Sequence, residues 1–258
     1  MLRKGDLTQG GITTTLLQFT LPMLAGSLLQ QCYNIADTLI VGQCIGANAL
    51  AAVGSAYTLM VFLISILLGL SMGSGTVFSL QYGAEDLSAL RRSIYVSLLL
   101  IGTVTILLNV AVFLWLDPIL RWLQVPYDIY SLMRNYLWII FWGIVFTFLY
   151  NFYAALLRAV GDSVTPLWFL AVSVVLNIGL DLFLILVLDQ GIEGAAVATV
   201  IAQGTAASGI LLYTYKTRPE LRLHREDMCF DRSSLREITS FSTCLLYTSD
   251  AADDMQCV

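Results

Sequence analysis

Long apolar runs broken by short polar turns fill most of this chain. About 20 consecutive apolar residues cross a bilayer as a helix. Six segments qualify, roughly Leu16–Val41, Ala52–Tyr82, Ile94–Leu116, Tyr130–Leu156, Thr165–Leu188 and Gly194–Tyr215. Turn signals separate them: Gly46-Ala47-Asn48, Gly83-Ala84-Glu85-Asp86, Asp117-Pro118, Gly161-Asp162 and Asp189-Gln190-Gly191. The second run is long enough to tilt or to lay its first turn in the interface. Small residues inside the runs (Gly69, Gly73, Gly75, Ala195, Ala196, Ala198) suit close helix approach in lipid. The pattern predicts an all-α membrane protein with a bundle of six transmembrane helices.

Composition agrees. Of the 258 residues, 58% are hydrophobic and 12% charged, and the mean hydropathy is +0.79. Soluble domains carry about 25% charged residues, so a soluble class is excluded. The five cysteines show neither metal-like spacing nor a compact disulfide framework. The start, Met1 to Gly11, is short and polar and does not read as a cleavable leader. Lys and Arg set the expected orientation. With the N-terminus inside, Arg3, Lys4, Arg91, Arg92, Arg158, Lys216, Arg218, Arg222, Arg225, Arg232 and Arg236 are cytoplasmic, and only Arg121 and Arg134 lie outside. Both ends of the chain are then cytoplasmic.

Four zones follow. Residues 1–15 form a cytoplasmic N-terminus, 16–215 the six-helix unit, and 216–243 a polar linker whose Arg, Leu, Phe and Ile suit the membrane surface. Residues 244–258 begin Cys244-Leu-Leu-Tyr-Thr-Ser-Asp-Ala-Ala-Asp253, which resembles the translation of a transposase sequencing adapter and is set aside from fold reasoning.

The polar interruptions carry the candidate chemistry. Within Phe19 to Gly42, Pro22 removes a backbone donor and Asp37 places a carboxyl deep in an uncharged run. An intramembrane carboxyl costs roughly 2.5–3.5 kcal/mol on insertion scales and marks an ion or proton pathway. The first and fifth runs cross in the same direction, so their acids compare by depth. At 1.5 Å per residue, Asp37 stands about 30 Å above Leu16 and Asp181 about 24 Å above Thr165. Both fall in the outer half. Asn177 lies one turn from Asp181 on the same face, and Thr199 of the sixth run reaches the same half. Two carboxyls, an amide and a hydroxyl are oxygen donors that suit protons or hard cations such as Na⁺, rather than soft metals. The bland alternative is that each acid hydrogen-bonds a neighbour. Asn151 on the fourth run is a further candidate cation ligand, lying nearer the cytoplasm, where an interhelical hydrogen bond is its other role. Gln30, Gln31, Tyr33, Asn34 and Gln203 are candidate lining residues of a substrate cavity. Tyr150, Phe152 and Tyr153 offer aromatic faces to an organic cation. His224 stands alone.

Enzyme readings fare poorly. No nucleophile and base share a workable spacing, and no phosphate-binding loop is present. An intramembrane aspartyl protease would need Gly-x-Gly-Asp, whereas Asp181 sits in Asn-Ile-Gly-Leu-Asp. No cofactor and no nucleic-acid partner are expected.

Several stretches together resemble the N-terminal half of bacterial MATE (multidrug and toxic compound extrusion) transporters. They are Leu21-Pro22, Tyr33-Asn-Ile-Ala-Asp37-Thr-Leu-Ile-Val-Gly42, Ala49-Leu-Ala-Ala-Val-Gly54, Gly69-Leu-Ser-Met-Gly73, Leu157-Arg-Ala-Val-Gly-Asp162-Ser-Val-Thr-Pro166, Asn177-Ile-Gly-Leu-Asp181 and Gly194-Ala-Ala-Val-Ala-Thr199. The resemblance implies one lobe of a twelve-helix transporter of the MOP superfamily. It also implies export of amphiphilic, often cationic drugs across the bacterial plasma membrane, driven by H⁺ or Na⁺ entry. It further implies a cation site at Asp37, Asp181, Asn177 and Thr199, and a bend of the first helix near Pro22. The chain stops where a seventh helix should begin, so the expectation is a truncated first lobe whose natural partner is a C-terminal lobe of the same chain. The alternatives are a lipid-linked oligosaccharide flippase of the same superfamily, which would want more cationic cavity residues, and a six-helix structural membrane protein.

Overall fold

Each apolar run becomes one long helix. The computed structural model describes residues 12–223 and 234–243. The expected adapter stretch 244–258, His224 and most of the N-terminal zone lie outside the described residues. In order come α1 (Ile12–Cys44), α2 (Ala47–Gly83), α3 (Leu87–Trp122), α4 (Tyr127–Ala159), α5 (Val164–Leu182) with a π turn at Phe183–Val187, and α6 (Gly191–Thr217). A 3₁₀ turn at Pro219–Leu221 follows, then a last helix, α7 (234–243).

The turns begin and end where backbone chemistry demands. Gly46 (φ 119°), Gly161 (φ 87°) and Gly191 (φ 57°) take positive φ at connections where a Cβ would be strained. Asp86 caps α3, its carboxylate accepting from the Ala89 N–H at 2.9 Å. Asp162 plays the same part for α5, accepting from the Thr165 N–H at 3.0 Å and the Thr165 hydroxyl at 2.8 Å.

Five helices, α1, α2, α3, α4 and α6, extend past the expected boundaries, and α5 with its π turn keeps within a residue of them. α2 starts five residues early, at Ala47 rather than Ala52. α3 continues through Asp117-Pro118 to Trp122 at the cost of a kink at Trp115 (φ −113°, ψ 16°). Pro118 lacks an N–H, and its ring presses on the turn before it, so the helix bends there instead of ending. α5 carries on past Asp181 as a π turn, closed by Leu188 N–H donating to the Phe183 carbonyl at 3.2 Å. α1 runs unbroken across Pro22.

Among the described residues, five helices are long and apolar enough to cross a membrane: α2, α3, α4, α5 with its π turn, and α6. α1 matches them in length, with 33 residues, but Gln30, Gln31, Asn34 and Asp37 dilute its apolar content. The protein is a multi-pass membrane protein, and α1 is its most polar long helix. Aromatic side chains sit where an interface would want them. Trp115, Trp122 and Tyr127 are exposed at the α3–α4 connection, and Trp168 and Tyr215 at the opposite end of the bundle.

α4 is the hub, lying along α2 on one side and α6 on the other, while α5 bridges α6 to α1. Its core is aromatic. Phe78, Phe141 and Phe152 are wholly enclosed, and Phe78 meets Phe152 edge-on with ring centroids 6.0 Å apart. Close approach of α4 and α6 depends on Gly143, where a Cβ would lie 2.9 Å from Val200 Cγ2. The outward Leu, Val and Ile of every helix form the exposed apolar surface that lipid would cover.

Candidate functional site

Three helices deliver polar side chains to one level of the bundle. α1 carries Tyr33 and Asp37 one turn apart, and α5 carries Asn177 and Asp181 one turn apart, so each pair shares a helix face. α6 brings Thr199. Asp37 lies seven residues from the end of α1 and Thr199 eight from the start of α6, about 10–12 Å along their axes. Their helix ends meet at the same side of the bundle, which puts the groups at one depth.

Asn177 and Asp181 are fully buried and Thr199 nearly so, at 4% exposure; Asp37 is half-buried. Thr199 Oγ1 accepts from Asn177 Nδ2 at 3.3 Å and from the Tyr33 hydroxyl at 3.4 Å. Its two lone pairs are then engaged and its own proton is free to reach a carboxylate. Asp37 and Asp181 lie within electrostatic reach of each other, and Asp37 Oδ1, Asn177 Oδ1 and both carboxylate oxygens of Asp181 have no donor. Carboxylates facing each other are acceptor against acceptor. Two like charges held close in a buried site disfavour ionisation of both, which a proton or a cation would relieve.

The donor set is entirely hard oxygen, and among the described residues no cluster of three or more His, Cys, Asp or Glu side chains exists. Hard oxygen donors of this kind fit H⁺ or Na⁺. Asp37, Asp181, Asn177 and Thr199 would hold such an ion.

Tyr136 of α4 is the residue that sequence reading missed. It is buried and within electrostatic reach of Asp37, Tyr33 and Asp181. Among Met133, Leu137 and Ile140 it reads as one more core aromatic. Depth was the available signal: Tyr136 lies nine residues into α4, about 14 Å, level with the acids.

The other expected residues fall elsewhere. Asn151 donates to the Thr147 carbonyl of its own helix at 2.8 Å. Gln203 accepts from the Thr147 hydroxyl at 2.8 Å and lines a small cavity with Met60, Ile64, Ile140 and Phe141. Gln30 and Gln31 are exposed on α1, and Asn34 donates to Gln31 Oε1 at 3.2 Å. Tyr33, expected in the substrate cavity, belongs to the acid cluster through Thr199. Tyr150 donates to the Pro166 carbonyl at 3.0 Å, and Tyr153 and Phe152 pack edge-on with rings 5.5 Å apart.

The fold and site define a multi-pass helical membrane protein with two acids set among oxygen donors inside its bundle. Comparison with known proteins makes the assignment: the chain belongs to the MatE family, whose family model matches residues 22–183. It is 37% identical over 211 residues to the probable multidrug resistance protein YpnP of Bacillus subtilis, covering 82% of this chain and 47% of that protein. It is 32% identical over 209 residues to the multidrug export protein MepA of Staphylococcus aureus, covering 78% and 45%. The chain therefore spans about half the length of the curated relatives it matches.

Solved structures agree on the fold. The outward-facing conformation of a multidrug resistance MATE family transporter of the MOP superfamily superposes with a TM-score of 0.88 at 23% identity, covering 98% of this chain and 57% of that one. A MATE protein in its bent conformation gives 0.88 at 23% identity, covering 95% and 55%. The six-helix bundle is thus one lobe of the MATE architecture.

Proposed function

We propose that this chain is the first lobe of a cation-coupled multidrug exporter. In this reading Asp37 and Asp181, with Asn177 and Thr199, take up H⁺ or Na⁺, and amphiphilic, often cationic compounds leave across the bacterial plasma membrane in exchange. The single observation that carries it is the convergence of four buried acceptor oxygens without donors at the junction of α1, α5 and α6. Similarity to the probable multidrug resistance protein YpnP and the multidrug export protein MepA supports the cargo class. The eleven-to-two distribution of Lys and Arg supports a cytoplasmic N-terminus and linker.

The chemistry follows from differential affinity. A guest shifts an equilibrium between two openings only if one of them binds it better. An acid pair that is acceptor against acceptor when empty is pushed apart, and a proton or Na⁺ draws the two carboxyls together. Because Asp37 rides on α1 and Asp181 on α5, occupancy pulls α1 toward α5. α1 is the helix best suited to move, since it leans mainly on α5 and exposes most of its side chains. Gln30, Gln31 and Asn34 line the face that the cargo would meet. The second lobe supplies the opposing wall.

Asp37→Asn and Asp181→Asn, made in the gene extended through its second half, test the reading by ethidium efflux at varied Na⁺ and pH. Each variant should lose the cation dependence of efflux. Wild-type efflux with unchanged cation dependence in both would overturn the assignment.

A further inference from the structure

An exposed stripe of α4 gathers aromatic and polar side chains that the acid pair does not use. Asn135, Trp138, Trp142 and Val145 follow one another at helical spacing, and all four are exposed. α3 borders the stripe with Phe113, whose ring centroid lies 4.6 Å from that of Trp138 and 5.4 Å from that of Trp142. α6 borders it with Glu193, whose Oε1 accepts from Asn135 Nδ2 at 2.9 Å. Among the described residues the other carboxyl oxygen of Glu193 has no partner.

The aromatic trio is held in place. Phe113 stands on one face of α3 with Asn109 and Asp117, a turn away on either side. Asn109 Nδ2 donates to the Phe141 carbonyl at 2.7 Å, and Asp117 Oδ1 accepts from Arg134 Nε at 2.8 Å and from the Tyr130 hydroxyl at 3.0 Å. These bonds fix the roll of α3 against α4 at the level of Phe113, so the rings are arranged before a ligand arrives.

Depth separates this patch from an ordinary aromatic belt. Tryptophan in membrane helices gathers at the interface. Trp138 and Trp142 stand eleven and fifteen residues past the start of α4 at Tyr127, about 17 and 22 Å along its axis. Glu193 lies two residues past the start of α6 at Gly191 and meets α4 at Asn135, about 10 Å nearer the end of the bundle than Trp142. From that end inward the order is carboxyl, then Trp138, then Trp142. An amphiphile in one leaflet has the same order, with its charge at the headgroup level and its apolar body below.

A carboxyl beside exposed aromatic faces selects a cation. A lipid phosphate is disfavoured, because it would confront Glu193 while the Arg134 guanidinium is already bound to Asp117.

We propose that Phe113, Trp138, Trp142 and Glu193 form a membrane-facing site for cationic amphiphiles with an aromatic body. Glu193 holds the charge, and the three rings stack on the body. The ligand class follows from the patch itself, and its biological sense rests on the transporter reading, since compounds of the exported class would gather in the leaflet at this end.

The experiment measures binding of tritiated tetraphenylphosphonium to this chain in phosphatidylcholine nanodiscs. Glu193→Gln keeps an acceptor for Asn135 and should weaken binding about tenfold, Trp142→Leu about fivefold, while Glu193→Asp should stay within about twofold of the parent. The loss in Glu193→Gln should recur unchanged in a chain that also carries Asp37→Asn and Asp181→Asn. Equal affinity in the parent, Glu193→Gln and Trp142→Leu would overturn the proposal, as would absence of binding in the parent. A loss that appears only with native Asp37 and Asp181 places the cation at the acid pair and overturns it too. So does a phospholipid occupant, seen in native mass spectra as a retained lipid lost in Trp142→Leu while tetraphenylphosphonium affinity holds. Failure of the transporter reading shows separately, as unchanged cation dependence of efflux in the acid variants.

Discussion

Replacing Asp181 by Asn should make the cation-free protein more stable and the cation-bound protein no better. Both carboxylate oxygens of Asp181 are enclosed without a donor, and so is Asp37 Oδ1 opposite. An unsatisfied buried polar group costs about 1–3 kcal/mol, and more when charged. The Asn side chain removes the charge and supplies an N–H₂ able to donate to Asp37, so the variant should gain about 1–3 kcal/mol when neither proton nor Na⁺ is offered. On the proposed reading the parent should recover that deficit by binding. At a hundredfold excess over its dissociation constant, one ion adds about 2.7 kcal/mol, and Asp181→Asn should show almost none of this. The assay is a thermal melt followed by tryptophan fluorescence in lipid nanodiscs, with alkaline Na⁺-free buffer compared against saturating Na⁺ and against acidic buffer. The curves should cross, the variant ahead without the guest and the parent level with it. A variant that melts earlier in cation-free buffer yet keeps the full response to Na⁺ and to acid would refute the argument that the acid pair waits for a positive guest.

Three further outcomes follow from packing and capping. Gly143→Ala places a methyl 2.9 Å from Val200 Cγ2 and 3.2 Å from Gln203 Oε1, so the α4–α6 contact should lose about 1–3 kcal/mol in the same melt. Phe78→Ala empties a fully enclosed site beside Phe152 and should cost about 3–5 kcal/mol. Asp86 is held below the usual carboxylate range, first by the Ala89 N–H and then by the Ser88 hydroxyl. A lowered folded value means its cap is fully effective above the unfolded carboxylate pKa of about 3.9 and fades as pH falls through the folded value. Asp86→Ala should lose stability at neutral pH and show a shallower fall on acidification, read from melts across an acid series.

The sequence alone determined the six long helices and their approximate extents, because hydrocarbon demands unbroken apolar runs and any chain crossing it must satisfy its own backbone; the short α7 fell inside what reads as a polar linker. It also determined which polar groups were costly enough to matter. Asp37 and Asp181 stand out because nothing nearby in the chain pays for them. Counting residues from the helix ends put them at one depth. What counting could not give was azimuth. Whether Asp37 faces α5 or lipid depends on how α1 rotates against its neighbour, which is decided by the packing of many small contacts at once.

For the same reason Tyr136 passed unnoticed and Asn151 drew attention. One is a core aromatic by pattern and a site neighbour by position. The other is polar by pattern but turned to its own Thr147 carbonyl. Pro118 was read as a stop, while the packed α3–α4 hairpin, with Arg134 holding Asp117 at 2.8 Å, keeps the helix going through a kink. The docking of α7 on Gly73 was beyond reach as well, since Gly73 and Ser242 are far apart in the chain and only the folded bundle makes them touch. Hydrophobic periodicity settles what each segment is. Side-chain direction, and so the meeting of acids from separate helices, is a property of the assembled lobe.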